Sequence, residues 1–280
     1  QTAYYLLESE PQPVPETGIM SGPPVAGVSH IGFMDTRTGK EVGQLGLRAG
    51  LSRLAITADG RTLLASDPIA GTLHIIDAVS QKHLGAVAIG AGAGPIAVQP
   101  FGSKAFVSNT GEAKVSVVDT GTRQVLAHIE LGMRPGSLLL KPDGGELFVL
   151  CPGASMLAIV DAFHDNVVQT LPTGRNPAAG VFRKDSSVLY LANAGDGSVM
   201  ILDVQNRTML ASTQVGREPR ALALTPDERF LAVADSSASS LAILIADPAR
   251  LAQVRSPLVT TIPVGARPVD VVIPDWLAKQ

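Results

Sequence analysis

A constant spacing of 42 residues governs this chain of 280. Glycines open successive copies at Gly90, Gly132, Gly174 and Gly216, and the next, Gly265, follows after 49 residues. An aspartate keeps step at Asp35, Asp77, Asp119, Asp161 and Asp203. A fixed period near forty means that one supersecondary unit is copied along the chain and buries its apolar surface against its neighbours. One copy has no core of its own, so the repeat implies a single domain over 1–280. Most residues then serve stacking, and function belongs where a copy departs from the pattern.

The copy from Gly174 shows what the unit is. Its short apolar runs are 179–182, 188–193, 199–203 and 209–215, with polar turns at Lys184–Ser187, Ala194–Gly197 and Gln205–Arg207. Runs of this length bounded by Gly, Asn and Asp are antiparallel strands joined by tight turns. Helical repeats of similar period need longer stretches with a 3.6-residue pattern. Four strands in about 42 residues is the size of a β-propeller blade. The expected fold is all-β, a propeller of six four-stranded blades. Five are whole copies over 47–264. The last is composite: 1–46 supplies its second to fourth strands and 265–280 its first. Val269–Ile273 is then expected to pair with Tyr4–Glu8.

Two segments break the repeat. Between the expected strands at Tyr5–Glu8 and Ile31–Asp35, the connection from Ser9 to Val28 is long and rich in proline. It reads either as a tolerated insertion or as a stiffened strap over one face, with Glu10 and Glu16 turned to that face. In the last whole copy Ile245 replaces the aspartate, and Asp247-Pro248 reads as the N-cap and first position of one or two helical turns.

Composition narrows the function. With 22 basic and 25 acidic residues, net charge −3, the chain has no bulk attraction for nucleic acid or anionic lipid. No apolar run approaches the ~20 residues of a membrane helix. The one cysteine, Cys151, has no disulfide partner and reads as a small buried hydrophobe. Nucleotide loops, paired-Cys haem attachment, His-Glu-x-x-His and Gly-x-Ser-x-Gly are missing from the sequence, so no cofactor is expected. His30, His74, His83, His128 and His164 read as isolated outer-strand or turn residues. The recurrent aspartate reads as a turn residue bonding backbone N–H groups two residues on, and Asp59-Gly60 and Asp143-Gly144 as hairpin turns.

The copies resemble the YVTN-type β-propeller repeat of bacterial and archaeal surface-layer-like proteins. The matching residues are Tyr190-Leu191-Ala192-Asn193, Phe106-Val107-Ser108-Asn109, Val115–Asp119, Ile262-Pro263-Val264-Gly265, and the turns Lys141–Gly144 and Thr225-Pro226-Asp227. The resemblance covers nearly the whole chain. It implies export, hence a periplasmic or extracellular location. It leaves open a binding scaffold, a lactone hydrolase and an accessory subunit of a larger redox or membrane-associated complex. Such propellers are commonly seven-bladed, whereas six are counted here.

In a propeller, the loops that link one blade to the next share a face with the turns between second and third strands. Those loops carry Arg134, Arg175, Arg217, Arg220 and Arg267, and the turns carry Asp67, Asn109, Asn193 and Asp235. Arginines at such a face suit a carboxylate or phosphate, so the expected partner is a small anionic ligand or a protein. The plainer reading is that rim arginines pair with nearby acids such as Glu218. No metal site is expected.

Overall fold

The computed structural model describes residues 2–7, 28–247, 250 and 256–273. The segment Ser9–Val28, apart from Val28 itself, lies outside the described residues, and so does the expected helix after Asp247 apart from Arg250. The chain divides into two compact units, Gln1–Gly132 and Met133–Gln280. Each holds three antiparallel sheets.

In the first unit, blade 1 has three strands in order: β1 (Thr2–Leu7), β2 (Val28–Asp35) and β3 (Lys40–Arg48). Blade 2 is β4 (Arg53–Ile56), β5 (Thr62–Asp67), β6 (Thr72–Asp77) and β7 (Lys82–Ala88). Blade 3 is β8 (Ala93–Val98), β9 (Lys104–Asn109), β10 (Lys114–Asp119) and β11 (Gln124–Glu130).

The second unit repeats the scheme. Blade 4 is β12 (Leu138–Leu140), β13 (Glu146–Cys151), β14 (Met156–Asp161) and β15 (Asn166–Pro172). Blade 5 is β16 (Pro177–Phe182), β17 (Val188–Asn193), β18 (Ser198–Asp203) and β19 (Thr208–Gln214). Blade 6 is β20 (Pro219–Leu224), β21 (Phe230–Asp235), β22 (Ser240–Ile245) and β23 (Leu258–Pro263). The all-β fold with six propeller blades is therefore as expected. The composite blade is corrected. Residues 268–273 form no strand, Val269 and Val272 are each 78% exposed, and blade 1 keeps three strands. Val271, Val272 and Ile273 instead line a cavity with Val181 and Phe182 of β16 and Leu222 and Leu224 of β20.

The cores lie between adjacent sheets. Ile31, Phe33, Leu63 and Ile76 pack between blades 1 and 2, and Leu64, Ile75, Val107 and Val118 between blades 2 and 3. In the second unit Phe148, Ile159, Leu191 and Leu202 fill the space between blades 4 and 5. Tyr190, Ile201, Val233 and Leu244 fill that between blades 5 and 6, where the Tyr190 hydroxyl donates to the Ala246 carbonyl. The central strands β9, β13 and β17 are buried on both faces, which is why their sequences run as unbroken apolar stretches rather than alternating.

Every outermost strand carries a β-bulge at the same repeat position. The ladder slips by one residue opposite Phe33/Met34, Ile75/Ile76, Val117/Val118, Ile159/Val160, Ile201/Leu202 and Ile243/Leu244. The residues left unpaired are Val42, Leu84, Leu126, Val168, Leu210 and Val259, each roughly half exposed. A bulge bends and twists the free edge of a sheet, which discourages edge-to-edge pairing with another chain.

The recurrent aspartates hold the turns into these strands. Asp35 accepts the Arg37 N–H at 2.8 Å, Asp77 those of Val79 and Ser80 at 3.0 and 2.7 Å, and Asp119 that of Thr122 at 2.7 Å. Asp161 accepts from Phe163 and His164, and Asp203 from Asn206 at 2.8 Å. The bond from Ser80 to Asp77 and that from Asn206 to Asp203 are the main reasons these carboxyls sit below their ordinary value of 3.8. For Asp161 the largest cause is the His164 side chain. A carboxyl depressed in the folded state stabilises above its unfolded pKa, and that contribution fades as pH falls through the folded value. Thermal stability should therefore decline on acidification below the ordinary carboxylate range, as pH falls through the lowered values of these groups. An Asp77→Asn/Asp203→Asn variant should show a shallower decline than the parent. Equal slopes for parent and variant would show that these turns add nothing to the acid response.

Candidate functional site

The site is built at one end of the sheets of the second unit. There each outer strand hands over to the next inner strand through Gly-x-x-Pro, as in Gly174–Pro177 and Gly216–Pro219. Pro135, Pro177 and Pro219 are buried, and the last two open β16 and β20, where a strand tolerates a missing N–H. With the proline anchored, the preceding arginine stands outward. Arg134, Arg175, Arg217 and Arg267 are all exposed.

Carboxylates from the turn after the second strand fasten these loops. Asp235 accepts the N–H groups of Arg217, Glu218 at 3.1 Å and Ala238 at 2.8 Å. Asp196 accepts the Arg175 N–H at 2.9 Å and the Ser198 hydroxyl at 2.7 Å. The first unit uses the same device. Asp67 accepts the Gly50 N–H at 3.0 Å, and Glu112 accepts that of Ala91 at 2.6 Å. Arg267 is held by its N–H to the Ser239 hydroxyl at 3.4 Å.

The expected site residues thus separate by role. Asp235, Asn109 and Asn193 are buried, at 0%, 0% and 1% exposure. Asp235 serves the loop backbone rather than a ligand. Asn109 donates to the Ile89 carbonyl at 2.9 Å and accepts from Ser116 at 2.8 Å, and Ser116 also meets His128 Nδ1 at 3.0 Å. Asn193 donates to the Ser198 hydroxyl at 3.2 Å, but its Oδ1 has no partner among the described residues. The side chains of Arg134, Arg175, Arg217 and Arg267 form no ion pair with another described residue. Arg220 does: its guanidinium grips Glu218, which also accepts from Ser237. The Ser237 bond is the largest cause of the lowered Glu218 pKa, followed by Arg220, and the charge of Arg267 acts in the same direction. Glu218 therefore satisfies one arginine and faces a second.

Glu112 and Asp196 were not singled out in the sequence. Their signal was available, since an acid within three residues after the second strand recurs in blades 3 and 5. The histidines need a correction too. His74 and His83 are not isolated: Nδ1 of one lies 3.1 Å from Nε2 of the other. Burial, then the charge of His83, holds His74 below its ordinary value. Cys151 is buried, and burial alone pushes its thiol to about 11, far from a reactive thiolate. Among the described residues, no group of three or more His, Cys, Asp or Glu is placed to hold a metal ion. No described helix is long and apolar enough to cross a membrane.

A family described as "Lactonase, 7-bladed beta-propeller" matches residues 155–265, within the second unit. No curated protein matches the sequence significantly. A chain of hydrazine synthase from Kuenenia stuttgartiensis superimposes with a TM-score of 0.70 at 18% identity, covering 94% of this chain and 92% of its own. A functionally unknown protein from Desulfotomaculum acetoxidans DSM 771 gives 0.66 at 14% identity, with 85% and 83% covered. At these identities the likeness speaks for the β-propeller fold. Some 1545 solved chains share it significantly, so the fold alone does not select an activity.

Proposed function

We propose that this β-propeller is a binding scaffold whose working surface is the arginine-bearing loop end of blades 4 to 6, taking a small multivalent anion or an acidic partner segment. One observation carries the reading. Arg134, Arg175 and Arg217 stand exposed, without an ion pair to any described residue, on loops whose backbones are anchored by buried prolines and, for two of them, by carboxylates. Loops fixed before binding lose little entropy when a ligand arrives. Asp196 and Asp235 bond backbone N–H groups and form no ion pair with these guanidinium groups. Arg220, Arg267 and Glu218 form the flank of the surface. The resemblance to YVTN-type surface-layer propellers supports an exported, periplasmic or extracellular setting for such a scaffold.

Citrate or inorganic phosphate should raise the melting temperature by several degrees at concentrations well above Kd. The shift should shrink in high salt. An Arg175→Ala/Arg217→Ala variant should lose it. Equal shifts in parent and variant would eliminate this surface as the anion site.

The lactonase family match favours a second reading, a hydrolase acting on a lactone ring. Turnover across a panel of lactones by the untagged protein would decide for it. The structural likeness to a hydrazine synthase chain supports a third, an accessory subunit of a larger redox or membrane-associated complex. Recovery of a stoichiometric partner enzyme from the native source would decide for that one.

A further inference from the structure

A groove of about 400 Å³ opens between blades 4 and 5. Leu171 of β15, Met200 and Leu202 of β18 and Met209 of β19 give it an apolar wall. Asn193 lines one end and Arg207 the other. Three buried side-chain polar atoms lack a partner among the described residues, and two of them are Asn193 Oδ1 and Arg207 Nη1. An orphaned buried donor or acceptor is costly, so a pair of them in one groove calls for a physical reason.

The internal repeat supplies it. Asn109 and Asn193 lie 84 residues apart, two periods, and end equivalent strands. In blade 3 the Asn109 acceptor is satisfied by Ser116, which in turn meets His128. The same steps lead from Ser116 to Met200 and from His128 to Ser212. Blade 5 therefore lacks the internal donor and carries an adaptable thioether and a smaller side chain at those positions. The Asn193 amide cannot rescue itself by flipping. Its Nδ2 donates to Ser198, which donates to Asp196, which accepts the Arg175 N–H. Arg207 keeps one ion pair, to Glu146, and lies over the Phe148 ring with Cζ 5.4 Å from the centroid, leaving Nη1 as a donor without an acceptor.

We propose that this groove binds a medium-chain aliphatic carboxylate that carries a hydroxyl at its far end. The hydroxyl donates to Asn193 Oδ1, the methylenes lie along Leu171, Met200 and Met209, and the carboxylate accepts from Arg207. The orientation is set by the orphan atoms, since Asn193 Oδ1 can only accept and Arg207 Nη1 can only donate. Both orphan atoms are buried, so the ligand reaches them as the flexible thioether side chains lining the groove repack. The Asn193 end of the groove adjoins the loop that carries Arg175, through Gly174 and Asp196.

The test is calorimetric titration with ω-hydroxyoctanoate, octanoate and octanol. The hydroxy acid should bind about tenfold tighter than octanoate, the value of satisfying one buried acceptor. Octanol should bind more weakly than the hydroxy acid because it leaves one of the two polar ends unmatched. Met200→Gln places an internal donor near Asn193 in a side chain of similar length. It should bring the ratio of hydroxy acid to octanoate close to one while octanoate still binds. Ser212→Phe should occlude the groove and abolish both. Equal affinity for octanoate and ω-hydroxyoctanoate in the parent, binding that survives Ser212→Phe, or no binding up to the solubility limit would each overturn the proposal.

Discussion

Asp235→Ala is expected to lower stability by about 3–5 kcal/mol. The carboxylate is wholly buried and takes three backbone N–H groups, from Arg217, Glu218 and Ala238. Alanine would orphan all three at a place where water enters only if the loop opens. The room around the carboxylate is equally specific. A Cβ on Gly216 would fall 1.6 Å from Asp235 Oδ2, so the glycine that opens the copy is what lets the acid reach the loop. Asp235→Asn should fall between parent and alanine, because one oxygen becomes an amide that faces a donor with a donor. Urea unfolding should show the loss as a shifted midpoint with little change in slope. The same variant should weaken citrate binding even though no arginine is altered, because Arg217 and Glu218 lose their fixed backbone. A loss of less than about 1 kcal/mol would mean that the loop is held by the buried Pro219 and not by the acid.

The sequence made the strands legible because their code is local. Short apolar runs between Asp, Gly and Asn turns mark four strands per copy, and β16 to β19 fall within two residues of the runs read from the sequence. The turn role of Asp77 or Asp203 was equally local, since each carboxylate bonds an N–H two or three residues on. What failed depends on contacts between distant parts of the chain. Asn109 and Asn193 look alike in sequence, yet one is fully bonded and the other is not, because the difference lies at Ser116 and Met200 on the neighbouring strand. Asp196 recurs in position with Glu112, but what it holds does not show locally, since its partner is a backbone N–H 21 residues away. His74 and His83 meet across a bulge whose register no alternation pattern announces. Val269–Ile273 has strand composition but forms no strand, since composition alone does not supply a pairing partner.

Phe148→Ala should cost about 3–5 kcal/mol, comparable to Asp235→Ala but for a different reason. Phe148 is fully buried in the core between blades 4 and 5 and meets the Phe182 ring edge-on, with centroids 5.1 Å apart. Truncation removes that contact and leaves a cavity that the surrounding strands cannot collapse, because both sheets are fixed by their own ladders. Phe148→Leu restores most of the volume and should cost less than about 1.5 kcal/mol. The ring also carries the Arg207 guanidinium, which reaches Glu146, and Glu146 lies 3.6 Å from Lys141. Loss of the ring should therefore be felt in the polar network as well as in the core. A double-mutant cycle of Phe148→Ala with Arg207→Met isolates that part, and a coupling of about 0.5–2 kcal/mol is expected. Additive effects within error would show that the ring and the guanidinium merely lie close together. Binding in the groove offers an independent reading of the same contact. Phe148→Leu should keep the preference for a carboxylate over an alcohol, because the core volume that positions Arg207 is largely retained. Phe148→Ala should reduce that preference even under conditions where the variant is fully folded, since Arg207 would then be free to turn towards Glu146 alone.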